Sequence, residues 1–181
     1  MPWDQVLTFL ERRQGLLDAV VFSGGEPTHQ RALPAALAEV SALGFRIGLH
    51  TAGIYPRRLA ALFPLLDWVG LDIKALPEDY PALTGIPGSG ERAWESLRLL
   101  LAAGVPLEVR ATLAPDWRLA RSLETLMRRL AGQGVRRFAL QTCRGSDHSV
   151  PPRTLGPFPS PPPSENYLIL GETLFQDFVL R

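Results

Sequence analysis

The stretch "AVVFSGGEPTHQ", Ala19 to Gln30, runs a short apolar strand directly into two glycines, a carboxylate and a proline, and then into helix-forming sequence. The same alternation continues along the chain. Short apolar or β-branched runs at 18–22, 45–50, 67–73, 107–113 and 136–142 read as strands. Segments of helical period lie between them, at 32–43, 56–65, 91–103 and 117–131, with Gly44, Gly104 and Gly132 placed as C-terminal caps. Near-continuous apolar strands joined by helices imply a parallel sheet covered by helices, because right-handed crossovers are the common way to connect such strands. The expected class is α/β.

Composition narrows the function. The chain has 181 residues, 46% of them hydrophobic, which is enough for a real core in one domain. Nineteen basic against eighteen acidic residues give a net charge of +1 with no run of like charges, so no electrostatic case exists for nucleic acid or for an anionic membrane. No apolar stretch approaches the roughly 20 residues of a membrane span. The N-terminal "MPWDQVLTFLERR" is amphipathic and contains acids, unlike a signal peptide, so a cytoplasmic protein is expected. A single cysteine, Cys143, excludes an internal disulfide.

In an open parallel sheet, ligands gather at the carboxyl ends of the strands. Here those ends are polar: Ser23-Gly24-Gly25-Glu26-Pro27 after the first, His50-Thr51-Ala52-Gly53 after the second, Asp72 and Lys74 at the third, Arg110 and Thr112 on the fourth, Gln141 and Thr142 on the fifth. Taken singly, they read equally well as polar loop starts and a structural ion-pair network; together they favour a site. The first turn is the strongest element. Its glycines permit close backbone approach or positive φ, Pro27 stops the strand ladder, and Glu26 supplies a carboxylate. Neither a Walker ending nor G-x-G-x-x-G spacing is present, so it is not a phosphate loop. Backbone carbonyls plus a carboxylate suit a cationic group such as a ligand amine.

"SGGEP" resembles the signature with which radical S-adenosylmethionine enzymes hold the methionine amine of that cofactor. Successive blocks, "FLERRQGLLDAVVFSGGEPTHQ", "GFRIGLHTAG", "DWVGLDIKALPEDYPALTG", "LEVRATL" and "FALQ", are similar to the anaerobic ribonucleoside-triphosphate reductase activating proteins, over about Trp3 to Thr142. The resemblance implies an incomplete (β/α)6-type open barrel of parallel strands, missing its first strand. It implies S-adenosylmethionine as cofactor and a [4Fe-4S] cluster, with a glycyl radical installed on a partner such as anaerobic ribonucleotide reductase. An electron donor such as flavodoxin or ferredoxin is implied as well.

Carried onto this chain, the resemblance gives Ser23, Gly24, Gly25, Glu26 and Pro27 as the cofactor turn, with Gly24, Gly25 and Glu26 on the amine. Asp72 and Lys74 would lie near the methionyl carboxylate, and Arg110 near the carboxylate or ribose. Thr51 falls in "HTAG" where the family has "TNG", so that contact lacks its asparagine. Gln141 matches the family without a derivable role, and His50 reads as a packed or rim histidine. No catalytic residue and no metal ligand is assigned: the family's C-x3-C-x2-C is not in the sequence, and Met1 stands where the family is already past its cluster loop. Three explanations stay open, namely a start assigned too late or a trimmed chain, a truncated inactive product, and a cluster-free binding protein. A radical enzyme acting on a small molecule is a further alternative. The expected organisation is a core over 1–149, a proline-rich linker over 150–164 and a helical apolar segment over 165–181, docked on the domain's own apolar face or on a partner.

Overall fold

A computed structural model describes residues 2–113, 117–142 and 165–181. Six strands form one sheet in the order β1-β2-β3-β4-β5-β6, with β1–β2, β2–β3, β4–β5 and β5–β6 paired in parallel, and the chain has the expected open α/β architecture. It divides into two compact units, residues 1–72 with 91–108, and residues 73–90 with 109–181.

The first unit carries α1 (Trp3–Glu11), β1 (Ala19–Phe22), α2 (Leu33–Ala42), β2 (Arg46–Thr51), α3 (Pro56–Ala60) and β3 (Trp68–Asp72). Val20 pairs with Ile47, Phe22 with Leu49, and Thr51 with Leu71. The burial of each strand follows its place in the ladder. β2, between two neighbours, buries Ile47, Gly48 and Leu49 in succession, whereas β1, first in the order, alternates and leaves Val21 48% exposed. Leu37 and Val40 of α2 and Leu59 of α3 are fully buried in this unit's core, at the period that places them on one helix face. The helix expected over 56–65 is shorter than predicted: α3 ends at Ala60, and a 3-10 turn follows over Phe63–Leu65, where Pro64 has no N–H to continue an α-helix.

The second unit holds α4 (Tyr80–Thr84), the long strand β4 (Leu107–Leu113, from Val109 onward), α6 (Trp117–Gly132), β5 (Arg137–Thr142), α7 (Glu165–Leu174) and β6 (Asp177–Leu180). The remaining helix, α5 (Ser89–Ala103), lies in the first unit from Glu91. Leu123, Leu126, Met127 and Leu130 of α6 are buried. That helix runs through Gly132, and the left-handed residue that ends it is Gly134 (φ 93°) rather than the Gly132 expected.

The C-terminal segment requires a correction. Its first ten residues are the expected helix, but Asp177–Leu180 forms a sixth strand, pairing Phe138 with Phe178 and Leu140 with Leu180. Phe138, Phe175 and Phe178 gather with ring centroids 4.8–6.4 Å apart. Gly171 makes room for this cluster, since a Cβ there would stand 2.6 Å from the Phe178 ring. The segment therefore docks on its own unit, next to β5. The proline-rich stretch 150–164 and Cys143 lie outside the described residues. No described helix is long and apolar enough to cross a membrane.

Candidate cofactor-binding site

The turn after β1 is built by its two glycines. Gly24 and Gly25 take φ of 93° and 43°, a region that costs other residues about 1–2 kcal/mol. A Cβ on either would meet nothing within 4 Å, so it is the backbone conformation that demands glycine here. Ser23, Gly24 and Gly25 are all exposed, and the turn presents nearly bare backbone to solvent.

Behind the turn, Glu26 acts as a clamp. It caps the 3-10 turn Pro27–His29, whose Pro27 and Thr28 are buried. Its Oε1 accepts from the Thr28 N–H (3.1 Å), from the Thr28 hydroxyl and from the Thr51 hydroxyl (2.7 Å), while Oε2 accepts from the Ala52 N–H (2.8 Å). Thr51, only 3% exposed, in turn accepts from the Gly53 N–H (3.0 Å), and the Gly53 carbonyl accepts from the Ser96 hydroxyl of α5 (2.6 Å). One continuous chain of hydrogen bonds thus ties the β1 turn to the end of β2 and to α5. The carboxylate expected to face a ligand amine is engaged by four donors of the protein itself; a carboxylate has about four acceptor sites, and Oε2, with one donor, has the spare capacity.

The remaining predicted residues divide between the units. Asp72 ends β3 in the first unit, half-buried and already in a polar or electrostatic interaction. Lys74 and Arg110 belong to the second. The Lys74 side chain is exposed and its backbone N–H donates to the Tyr80 hydroxyl (2.9 Å), whereas Arg110 is 9% exposed, has an interaction partner, and accepts the Ile73 N–H at its carbonyl (2.9 Å). His50 packs edge-on to Trp68 with centroids 5.3 Å apart, consistent with the packed or rim histidine expected. Thr28 and Ser96 escaped the sequence reading. Neither carries a local signal: glutamate is not among the residues that favour a helix N-cap, so its bond to Thr28 is not readable, and a serine inside a helix gives none.

Among the described residues no three His, Cys, Asp or Glu side chains are grouped to hold a metal, and the whole chain has one cysteine. An iron-sulfur cluster held by three or four thiolates does not fit these residues. The bare turn, by contrast, fits the aminoacyl end of a small cofactor.

Residues 1–120 match the family model described as the Radical SAM superfamily. The chain belongs to that superfamily. Radical SAM proteins work on S-adenosylmethionine together with an iron-sulfur cluster, so the cofactor expected from the turn is the family's own. No curated protein sequence matches the chain. Among solved structures it is similar to a domain of pyruvate-formate lyase-activating enzyme from Bacteroides vulgatus, at 14% identity and TM-score 0.66, covering 90% of this chain and 98% of that one. It is similar also to SuiB from Streptococcus suis, at 12% identity and TM-score 0.69, covering all of this chain and 43% of that one. A third is anSMEcpe with bound AdoMet, at 16% identity and TM-score 0.61, covering 78% and 43%. The chain thus spans less than half the length of the second and third of these. Identities this low establish a shared radical SAM fold and nothing finer.

Proposed function

We propose that the Ser23–Pro27 turn holds the methionyl amine of S-adenosylmethionine, and that this radical SAM protein serves a glycyl-radical activation, with anaerobic ribonucleoside-triphosphate reductase as the partner class. The observation that carries the first part is the pair of left-handed, exposed glycines clamped from behind by Glu26. An ammonium group has three donors and no acceptor. Backbone carbonyls of the turn and the spare capacity of Glu26 Oε2 supply acceptors for it, and the hydrogen-bond chain through Thr51 and Gly53 holds them in place before the ligand arrives. Preorganisation of this kind lowers the ordering cost of binding.

The partner class rests on sequence more than on fold. TM-scores of 0.66 and 0.69 toward an activating enzyme and toward SuiB do not select a substrate. The ordered blocks from "SGGEP" through "LDIK" to "EVRATL" resemble the reductase activating proteins, and that ordering favours an activase over a radical enzyme for a small molecule.

Equilibrium dialysis with labelled S-adenosylmethionine tests the turn. The parent chain should bind weakly but measurably, Gly25→Val should bind at least tenfold less, and Gly25→Ala should fall between, since it adds the backbone strain with a smaller obstruction. Circular dichroism checks that both variants remain folded. Equal affinity in folded parent and Gly25→Val would remove the turn from the site. Surface plasmon resonance against an anaerobic ribonucleotide reductase tests the partner separately, and no binding there would sink the activase reading while leaving the cofactor turn standing.

A further inference from the structure

The loop after β2, the first turn of α3 and the exposed side of α5, all within the first unit, line an open cavity of about 370 Å³. Three arginines line it, Arg57, Arg58 and Arg92, with one carboxylate, Glu95, and the ring of Tyr55; Ile54 and Pro56 give it an apolar side. None of these residues was singled out by the sequence reading, and the cavity is separate from the glycine turn.

Its charges are not equivalent. Arg58 is committed to the protein: its guanidinium lies 4.9 Å from the centre of the Tyr55 ring and donates to the carbonyls of Thr28 (3.4 Å) and His29 (3.3 Å). Tyr55 is fixed as well, stacked on His29 with its hydroxyl 3.1 Å from His29 Nδ1. Arg57 and Arg92 are exposed, and among the described residues neither guanidinium has a hydrogen bond or an ion pair. Three guanidiniums against one carboxylate give the cavity a formal charge of +2. Like charges left facing one space without partners are the arrangement an anion relieves.

The geometry points to a phosphorylated small molecule, with its phosphoryl group received by Arg57 and Arg92. A carboxylate is satisfied by a single arginine fork, whereas a phosphoryl group has oxygens for two and a charge that matches the excess here. A cavity of this size falls in the range of small-molecule sites, about 300–1,000 Å³, and exceeds what the phosphoryl group alone would fill. Ile54 and Pro56 then face the organic body of the ligand, and Glu95 is an acceptor for a hydroxyl on it. The place fits too: the loop leaves the carboxyl end of β2, where open α/β sheets collect their ligands.

Calorimetric titration of the full chain at low salt tests this, with inorganic phosphate, ribose 5-phosphate, AMP and a short polyglutamate peptide as probes. At least one of the two phosphate esters should bind ten times or more tighter than inorganic phosphate. Arg57→Gln and Arg92→Gln should each weaken it at least tenfold with an unchanged melting temperature, and Arg92→Lys should recover part of the loss. Inorganic phosphate binding as tightly as the esters would refute the organic body. Tightest binding by the peptide would hand the surface to an acidic protein partner. Absence of binding by all phosphate probes, or equal binding by parent and variants, would overturn the site.

Discussion

Glu26→Gln separates a clamp from a ligand contact, because the two roles predict different measurements. Three donors converge on Oε1, two from Thr28 and one from Thr51, so the amide oxygen of a glutamine takes that position. Its NH2 group is then set against the Ala52 N–H, which the carboxylate oxygen receives at 2.8 Å. Donor meets donor there. A hydrogen bond to a charged group contributes about 1.5–3 kcal/mol, and the three contacts on the other oxygen weaken from charge-assisted to neutral. Since Glu26 is half-buried rather than sealed, a total of about 2–4 kcal/mol is expected. In a chain of this size that corresponds to roughly 5–15 °C in melting temperature. Thermal unfolding followed by tryptophan fluorescence reads the global effect, and amide hydrogen exchange at Thr28 and Ala52 reads the local one. A melting temperature unchanged within about 1 °C, with both amides exchanging as in the parent, would refute the clamp; a loss of cofactor binding alone would return Glu26 to the role of ligand.

Gly53→Ala should cost about 2–4 kcal/mol, from a left-handed φ of 68° and from a Cβ placed 2.8 Å from Leu71 Cδ1 and 3.0 Å from Ser96 Cβ. Urea denaturation checks it, and a shift under 0.5 kcal/mol would mean that the neighbours relax freely. Phe178→Ala should cost about 2–3 kcal/mol, below the 3–5 typical of a fully buried phenylalanine because this ring is half-buried, and should speed exchange at the β5 amides that β6 covers. Normal protection of β5 would show that β6 is dispensable. Anaerobic reconstitution with iron and sulfide should leave the chain without a stable [4Fe-4S] chromophore, since one thiol cannot replace three; a chromophore that survives gel filtration would contradict this.

The parts of the fold that were legible in the sequence are those dictated by period and punctuation. Val20 to Phe22, Ile47 to Leu49 and Val69 to Leu71 are apolar runs between helical segments, and a parallel sheet follows from them almost directly. β6 was not legible because Leu170, Leu174 and Phe178 keep helical spacing across the break after Leu174, and a four-residue apolar strand looks the same as a helical turn. In the site, the glycines announced their own conformation, and the turn was found from them. The use of Glu26 was hidden: its partners Thr51 and Ala52 lie 25 and 26 residues further on, and no local pattern says that two strand ends will meet. Arg57 and Arg92 were hidden for the opposite reason. Exposed arginines on helices are common, and only their convergence on one cavity sets these apart.

At its first strand the sheet stops on four residues, with Val21 turned half to solvent and Leu16 and Leu17 exposed just before it. A strand in that position offers its outer row of backbone groups as a template on which any extended chain can add itself. The behaviour of concentrated stocks then depends on such a short edge segment more than on the nearly neutral surface as a whole. Precipitation should begin there, be seeded by extended apolar peptides, and respond little to changes of net charge made elsewhere. A lysine in place of Val21, the residue natural edge strands commonly use, would lengthen storage life without reaching the glycine turn.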